Sequence, residues 1–127
     1  MYSILIRSES RFPVNRKRIK RQVEKLLTIN GLTFDVEVSL AFVGERRMIK
    51  LNREYRDLDQ AAAVLSFSQL EEKAGERFIS SPPDTLYLGD IVICYPLAQK
   101  LANEENILID EEIEALVEHG LLNLIKI

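Results

Sequence analysis

The feature that most constrains the fold is a nine-residue stretch in which apolar and polar side chains alternate. One side carries Phe34, Val36, Val38, Leu40 and Phe42, and the other carries Asp35, Glu37 and Ser39. Successive side chains of a β-strand point to opposite faces, so the pattern predicts a strand over 33–42 with one face buried. The 127 residues of the chain provide one domain around such a strand.

Two other stretches have helical periodicity. In residues 16–27 the apolar side chains fall at i, i+4, i+7 and i+8, namely Ile19, Val23, Leu26 and Leu27. This spacing predicts an amphipathic helix, and Asn30-Gly31 is a suitable stop because glycine tolerates a left-handed conformation. Residues 45–55 predict a shorter helix with Met48, Ile49 and Leu51 facing inward.

The rest of the chain completes an α+β pattern. A first strand is predicted over 2–7, buried strands over 61–67 and 86–94, and a long polar loop over 70–84. Pro96 suits the first turn of a helix that runs to about Asn106, and Asp110 is predicted to cap a last helix. The order β-α-β-α-β-β-α-α predicts a single domain over 1–127, with a small mixed sheet of about four strands and helices packed on it.

Composition and charge exclude several classes of protein. A single cysteine, Cys94, excludes an intramolecular disulfide framework and favours a reducing, cytoplasmic location. No apolar run approaches the roughly 18 residues of a membrane span, and the first residues do not resemble a signal peptide. Residues 1–56 hold 13 lysines and arginines against 6 acidic residues, a net charge of +7, whereas residues 57–127 have a net charge of −10. A basic half of this kind attracts phosphate backbones.

The basic residues are the first candidates for a binding site. Arg16, Lys17, Lys20 and Arg21 lie on the predicted first helix, and Arg46, Arg47, Lys50, Arg53 and Arg56 form a second stretch. If both stretches face one way they line a groove for nucleic acid; the alternative is that they are only solvated helix faces. Four acidic residues are interpreted as helix-start and surface acids: Asp110, Glu111, Glu112 and Glu114.

Three further residues have chemistry to weigh. Cys94, between Ile93 and Tyr95, is interpreted as a packing residue, and Asp90 as a backbone cap or the support of a site. His119 is the only histidine, and a zinc site normally needs three or four protein ligands. These residue types alone do not assemble a zinc cluster.

Four motifs, in order, resemble the YbeY family of bacterial rRNA-maturation endoribonucleases. They are Ala41-Phe42-Val43 with Leu51-Asn52-Arg53-Glu54-Tyr55-Arg56, then Val64-Leu65-Ser66-Phe67, Leu88-Gly89-Asp90-Ile91-Val92-Ile93, and Glu118-His119-Gly120-Leu121-Leu122. The last resembles the start of the family signature His-Gly-x-Leu-His-Leu-x-Gly-x-Asp-His. The resemblance extends from about residue 36 to residue 127.

The resemblance implies a cytoplasmic, zinc-dependent endoribonuclease that cuts single-stranded RNA in rRNA maturation and ribosome quality control. RNA and the ribosome would be its partners, rather than DNA or a membrane. The signature histidines would hold the zinc, and Arg56 would contact an RNA phosphate. The RNA-binding surface would then comprise Arg16, Lys17, Lys20, Arg21, Arg53 and Arg56.

The chain departs from the signature where the metal would bind. His119 keeps the first ligand position, Asn123 occupies the second, and the third lies beyond residue 127. Ala62-Ala63 stands in place of the family's Thr-Asp pair. We therefore expect zinc not to be stably bound. The alternatives for function are a non-catalytic RNA- or ribosome-binding module and an inactive truncated remnant. Truncation, divergence and engineering of the gene all remain open as origins.

Overall fold

The structure, a computed structural model, describes residues 1–58, 60, 62–68 and 85–126. The strands are β1 (Tyr2–Ser8), β2 (Val36–Val43), β3 (Val64–Ser68) and β4 (Leu86–Cys94). The helices are α1 (Arg16–Ile29), α2 (Glu45–Arg56), α3 (Tyr95–Glu105) and α4 (Ile109–Ile125). This order confirms the predicted β-α-β-α-β-β-α-α pattern.

The sheet is mixed, as predicted, with strand order β1-β2-β4-β3. Strands β1, β2 and β4 run parallel, and β3 pairs antiparallel with β4 at one edge. Parallel neighbours need a crossover connection, which α1 supplies between β1 and β2. The carboxyl ends of the three parallel strands therefore lie at the same end of the sheet, where α2 and α3 begin.

Each face of the sheet packs against a different helix of the basic half. The larger core cluster joins Val23 and Leu27 of α1 and Val117 and Leu121 of α4 to β-strand residues such as Val38. A smaller cluster on the opposite face joins Met48 of α2 to alternate strand residues, Val43, Leu65, Val92 and Cys94. Helices α1 and α2 thus lie on opposite faces of the sheet.

A bulge interrupts the pairing of β2 with β4. Glu37 pairs with Tyr87 and Val38 with Gly89, which leaves Leu88 as the extra residue. Gly89 has φ of +144°, and a Cβ there would come within 2.2 Å of the Phe67 carbonyl oxygen, so only glycine fits. The bulge puts Tyr87 and Asp90 on the same face, although residues three apart in a regular strand point to opposite faces.

The predicted stop of α1 is confirmed, and the start of the helix has a side-chain cap that was not predicted. The Asn15 side chain accepts a hydrogen bond from the Arg18 amide at 3.1 Å, which caps the first turn. Gly31 has φ of +83°, the left-handed conformation predicted for the stop. On α4, Val117, Leu121 and Leu124 form a buried apolar face.

Two predicted strand boundaries are wrong. Strand β2 begins at Val36, and Phe34 is 48% exposed, because the chain joins the sheet only where the Val36 amide bonds to the Met1 carbonyl. Strand β3 begins at Val64 and is a half-buried edge strand rather than a buried one. The loop predicted over 70–84 lies outside the described residues.

The predicted cap and surface acids of α4 also need correction. Leu108 occupies the N-cap position, and the Glu111 carboxylate accepts a hydrogen bond from its amide at 3.1 Å. Asp110 lies inside the first turn, 3.8 Å from the Arg18 guanidinium. Glu112 is only 5% exposed, and Glu114 is a half-buried ion-pair partner of Arg18. Both acids face neighbouring helices, which hydrophobic periodicity alone does not reveal.

Candidate nucleic-acid interface

Ser66 joins two of the predicted site elements at the open edge of β3. The Ala63 carbonyl oxygen accepts from the Cys94 amide of β4, and bonding direction alternates along a strand. Ser66 therefore turns its carbonyl to the open edge, where Arg56 Nη2 donates to it at 2.8 Å. The Ser66 hydroxyl donates to the Gly120 carbonyl oxygen at 2.9 Å. Ser66 thus bonds to the last residue of α2 and to the middle of α4.

Arg56 is held at this edge but remains exposed. Its guanidinium lies 5.4 Å from the Phe67 ring centroid, and the centroid of the Tyr55 ring lies 5.0 Å from that of Phe67. A guanidinium carries five donors in a fixed fork, a geometry that suits contact with a phosphate. The contact between Arg56 and an RNA phosphate stays a prediction.

His119 lies one residue from the Ser66 contact. Its side chain is exposed, as is that of Asn123, one helical turn further on the same face of α4. Ser66 of β3 therefore bonds to Arg56 directly and to the α4 backbone next to the residue that carries the exposed imidazole. Sequence reasoning quoted Ser66 only as part of a strand motif and missed its connecting role.

The described residues do not fit a zinc site. Over 1–58, 60, 62–68 and 85–126, no three histidine, cysteine, aspartate or glutamate side chains converge as metal ligands. His119 offers one imidazole, while an amide such as Asn123 is a poor zinc ligand. Cys94 is buried on β4, and desolvation raises the pKa of its thiol, which agrees with its interpretation as a packing residue.

Asp90 makes a side-chain cluster rather than a backbone cap. Its carboxylate accepts hydrogen bonds from the hydroxyls of Ser39 and Tyr87. The β4 bulge makes this contact possible by bringing Tyr87 and Asp90 to one face. Of the two interpretations given for Asp90, the backbone cap is wrong.

The basic residues of α1 and α2 do not share one groove. Arg16, Lys17, Lys20 and Arg21 are exposed on α1, and Arg16 Nη1 donates to the Ile6 carbonyl oxygen. Helix α2 packs on the opposite face, so the conditional prediction of a joint groove is wrong. Whether the α1 residues bind RNA stays a prediction.

The second basic stretch lines a groove of its own. The groove has a volume of about 1140 Å³ and lies at the carboxyl ends of the parallel strands, between the start of α2 and the loop after β1. Its basic lining comes from Arg11, Arg46, Arg47, Lys50 and Arg53. Sequence reasoning found four of these residues but not the groove, which depends on how β1 and α2 end and begin side by side.

No helix in the described ranges is both long and apolar enough to cross a lipid bilayer. This agrees with the hydropathy of the sequence.

Comparison with known proteins identifies the family. The model of the family described as Endoribonuclease YbeY matches residues 5–125. The protein named Endoribonuclease YbeY from Bacillus cereus strain B4264 is 36% identical over 107 residues, covering 84% of this chain and 69% of its own length. Its counterpart from Dehalococcoides mccartyi is 28% identical over 128 residues, covering 97% of this chain and 74% of its own.

A solved structure agrees with the fold. A Thermotoga maritima protein whose structure was determined in solution superposes with a TM-score of 0.58 at 26% identity, covering 96% of this chain and 71% of that one. The match of sequence, fold and motif order leads to one conclusion: this chain belongs to the YbeY family.

Proposed function

We propose that the chain acts in RNA processing, as expected of the YbeY endoribonuclease family, and that it binds single-stranded rRNA at the open edge of β3. The relatives named as endoribonucleases support RNA as the substrate. The observation that carries the proposal is Ser66, which bonds both Arg56 and the backbone of α4 beside His119. If rRNA is the substrate, ribosomal particles would be the partners of the protein and the cytoplasm its location.

The two exposed side chains at this edge have complementary chemistry. The Arg56 guanidinium can neutralise a phosphate and orient it through two parallel hydrogen bonds. The His119 imidazole has two ring nitrogens that can hydrogen-bond to a ribose or a base. Cleavage of RNA by its own 2′-hydroxyl needs one group to remove a proton and another to supply one, whereas the described residues place a single imidazole at this edge. Binding is therefore the function that this edge supports best.

Zinc-dependent cleavage is the second candidate, because His119 keeps the first ligand position of the family signature. The described residues supply too few ligands for it. We expect less than about 0.1 zinc per purified chain, since one imidazole does not retain the ion. Elemental analysis of the wild type and His119→Ala measures this. Stoichiometric zinc that disappears in His119→Ala would contradict the expectation and favour zinc-dependent cleavage.

The binding test uses a labelled single-stranded RNA titrated at several salt concentrations, with cleavage followed in parallel. Arg56→Gln should weaken binding about tenfold, the loss of one charge-assisted contact worth about 1.4 kcal/mol. It should also reduce the salt slope by about 0.7. Arg56→Lys should recover the slope but only part of the affinity, because an ammonium lacks the bidentate fork.

The control for Arg56 is Lys100→Gln, which removes an exposed charge on α3. Thermal unfolding of each variant shows whether the fold is intact. Equal affinity of Arg56→Gln and wild type would exclude Arg56 from the interface. No RNA binding by the wild type at low salt would contradict the proposed function as a whole and leave the inactive remnant.

A further inference from the structure

The groove at the carboxyl ends of the parallel strands is separate from the edge that holds Ser66 and His119. Its walls come from the loop after β1, which contributes Phe12, from Gly44 and the exposed side of α2, and from Pro96 at the start of α3. Neither Ser66 nor His119 lines it. The proposed RNA contact at the β3 edge does not extend into this groove, which has a volume of about 1140 Å³.

The charges in this groove favour an anionic ligand. Its described lining has three acidic residues, Glu9, Glu45 and Glu54, and five basic residues. Glu9 is already paired with Arg11, whose guanidinium also lies 4.6 Å from the Phe12 ring centroid. Arg46, Arg47 and Lys50, in contrast, are exposed and form no ion pair with any other residue that the structure describes.

The backbone adds to this positive potential. Gly44 is the N-cap of α2 and provides no side-chain hydrogen bond to the first turn. Because Gly44 also lines the groove, the positive end of the helix dipole lies at the same opening as the three cations.

The cations form a path rather than a single cluster. Arg46, Lys50 and Arg53 lie at i, i+4 and i+7, one stripe along α2, and Arg56 follows three residues later. Ten residues separate the first and last arginine, or about 15 Å along the helix axis. A line of cations of this length matches a chain of phosphates, whereas one phosphate needs only a compact cluster.

We propose that the groove binds a second segment of the single-stranded RNA, whose phosphates contact Arg46, Arg47 and Lys50 while Arg56 holds the strand at the β3 edge. The inference rests on the proposed function, since it takes the RNA of that function as its ligand. It adds a direction: the strand runs along the exposed side of α2, from the strand ends towards Ser66. The opposite, α1-covered face of the sheet is not on this path.

The test compares two triple variants that each remove three exposed charges. R46Q/R47Q/K50Q alters the groove, and the control K25Q/K100Q/K126Q alters exposed lysines that do not line it. Each is titrated with oligouridylates of about 4 and about 12 nucleotides, within the usual range of site sizes on single-strand-binding surfaces. We expect the groove variant to lower the salt slope for the longer RNA by about 2, at roughly 0.7 per lost phosphate contact.

The length dependence separates the groove from general electrostatics. The groove variant should bind the longer RNA at least tenfold more weakly than the control variant does. Its affinity for the longer RNA should then be close to its own affinity for the short RNA. Equal losses in the two triple variants would overturn the proposal, because total charge would then explain them. A third variant, K17Q/K20Q/R21Q, removes three charges from α1. A loss of affinity confined to this variant would place the RNA strand on α1 and would also overturn the proposal.

Two further results distinguish this proposal from the proposed function. If the wild type binds and Arg56→Gln weakens binding while R46Q/R47Q/K50Q does not, the groove is excluded and the edge stands. If the groove variant loses affinity and Arg56→Gln does not, the groove stands and the role of the edge falls. A wild type that fails to bind either RNA at low salt excludes both. Circular dichroism confirms that each variant is folded.

Discussion

Gly120 allows α4 to approach the sheet at the residue that organises the candidate site. A Cβ at this position would lie 2.9 Å from Ile91 Cγ2, 3.0 Å from Ser66 Oγ and 3.3 Å from Val64 Cγ2. Two of these neighbours are β-branched side chains, which have few alternative rotamers. Because glycine has no side chain, α4 comes close enough to β3 for the Ser66 hydroxyl to donate to the Gly120 carbonyl oxygen.

Gly120→Ala should destabilise the protein, although alanine favours a helix over glycine by about 1 kcal/mol. The added methyl group forces α4 away from β3, and overpacking of this kind costs about 1–3 kcal/mol. Denaturant unfolding measures the change, with Asn123→Ala on the exposed side of the same helix as the control. A Gly120→Ala variant more stable than wild type would show that the helix and strand have room to separate.

Glu112 makes stability depend on pH. Burial raises the pKa of its carboxyl above the ordinary value of 4.5, and the charge of Glu105 and a hydrogen bond with it act in the same direction. The folded state then holds the proton more tightly than the unfolded state. Stability is therefore full below the unfolded pKa and falls as pH rises through the folded pKa.

Glu112→Gln should raise the unfolding midpoint at pH 7 and leave it unchanged at pH 4 or below, because the amide removes only the cost of the buried charge. Thermal unfolding between pH 4 and 8 gives the comparison, with the exposed Glu118→Gln as the control on the same helix. A Glu112→Gln midpoint below that of wild type at pH 7 would mean that the carboxylate is stabilising.

At the scale of elements, α4 connects the acidic half of the chain to the basic half. The Arg18 guanidinium of α1 lies 2.5 Å from Glu114 Oε1, and Gln22 Nε2 donates to the Glu114 carbonyl oxygen at 2.7 Å. Glu114 raises the pKa of Arg18 by its hydrogen bond and its charge. A half-buried, solvent-accessible ion pair of this kind stabilises by about 1 kcal/mol, so the apolar face of α4 provides most of the attachment.

Leu121→Ala tests that attachment. Leu121 is fully buried between α4 and the sheet, so its truncation should cost about 2–5 kcal/mol in the free energy of unfolding. Ile29→Ala, at an exposed position near the end of α1, should change it by less than about 0.5 kcal/mol. Equal effects of the two substitutions in denaturant unfolding would show that α4 is not packed in solution.

At the scale of the molecule, the limits of sequence reasoning have a physical cause. Periodicity identified the buried side of α1 through Val23 and the whole of β4, because it reports which side of an element is apolar. It does not report which face of the sheet that side covers. The sequence could therefore not show that the cations of α1 and α2 lie on opposite faces, nor that Arg11 joins the groove of Lys50.

The candidate site was predictable to a similar extent. Motif resemblance found Arg56 and His119, since each stands in a recognisable run of residues. Ser66 had no such signal for its role, because its two hydrogen bonds reach residues 10 and 54 positions away. Contacts at these separations depend on the strand order, with β3 at the edge beside β4.

The bulge in β4 has a consequence for how such chains can change length. Leu88 shifts the side-chain alternation by half a period, so Tyr87 and Ile91 belong to two runs that are out of phase. Deleting this one residue would restore a regular strand and leave Tyr87 and Ile91 on the faces they already occupy, because the pairs Glu37–Tyr87 and Val38–Gly89 already flank it. Chains usually gain or lose residues in loops, and the bulge is a place within a strand where one residue can be lost as well. A loss elsewhere in β4, between Ile91 and Cys94, would instead shift the residues beyond it by one position and exchange the two packed faces of the strand there.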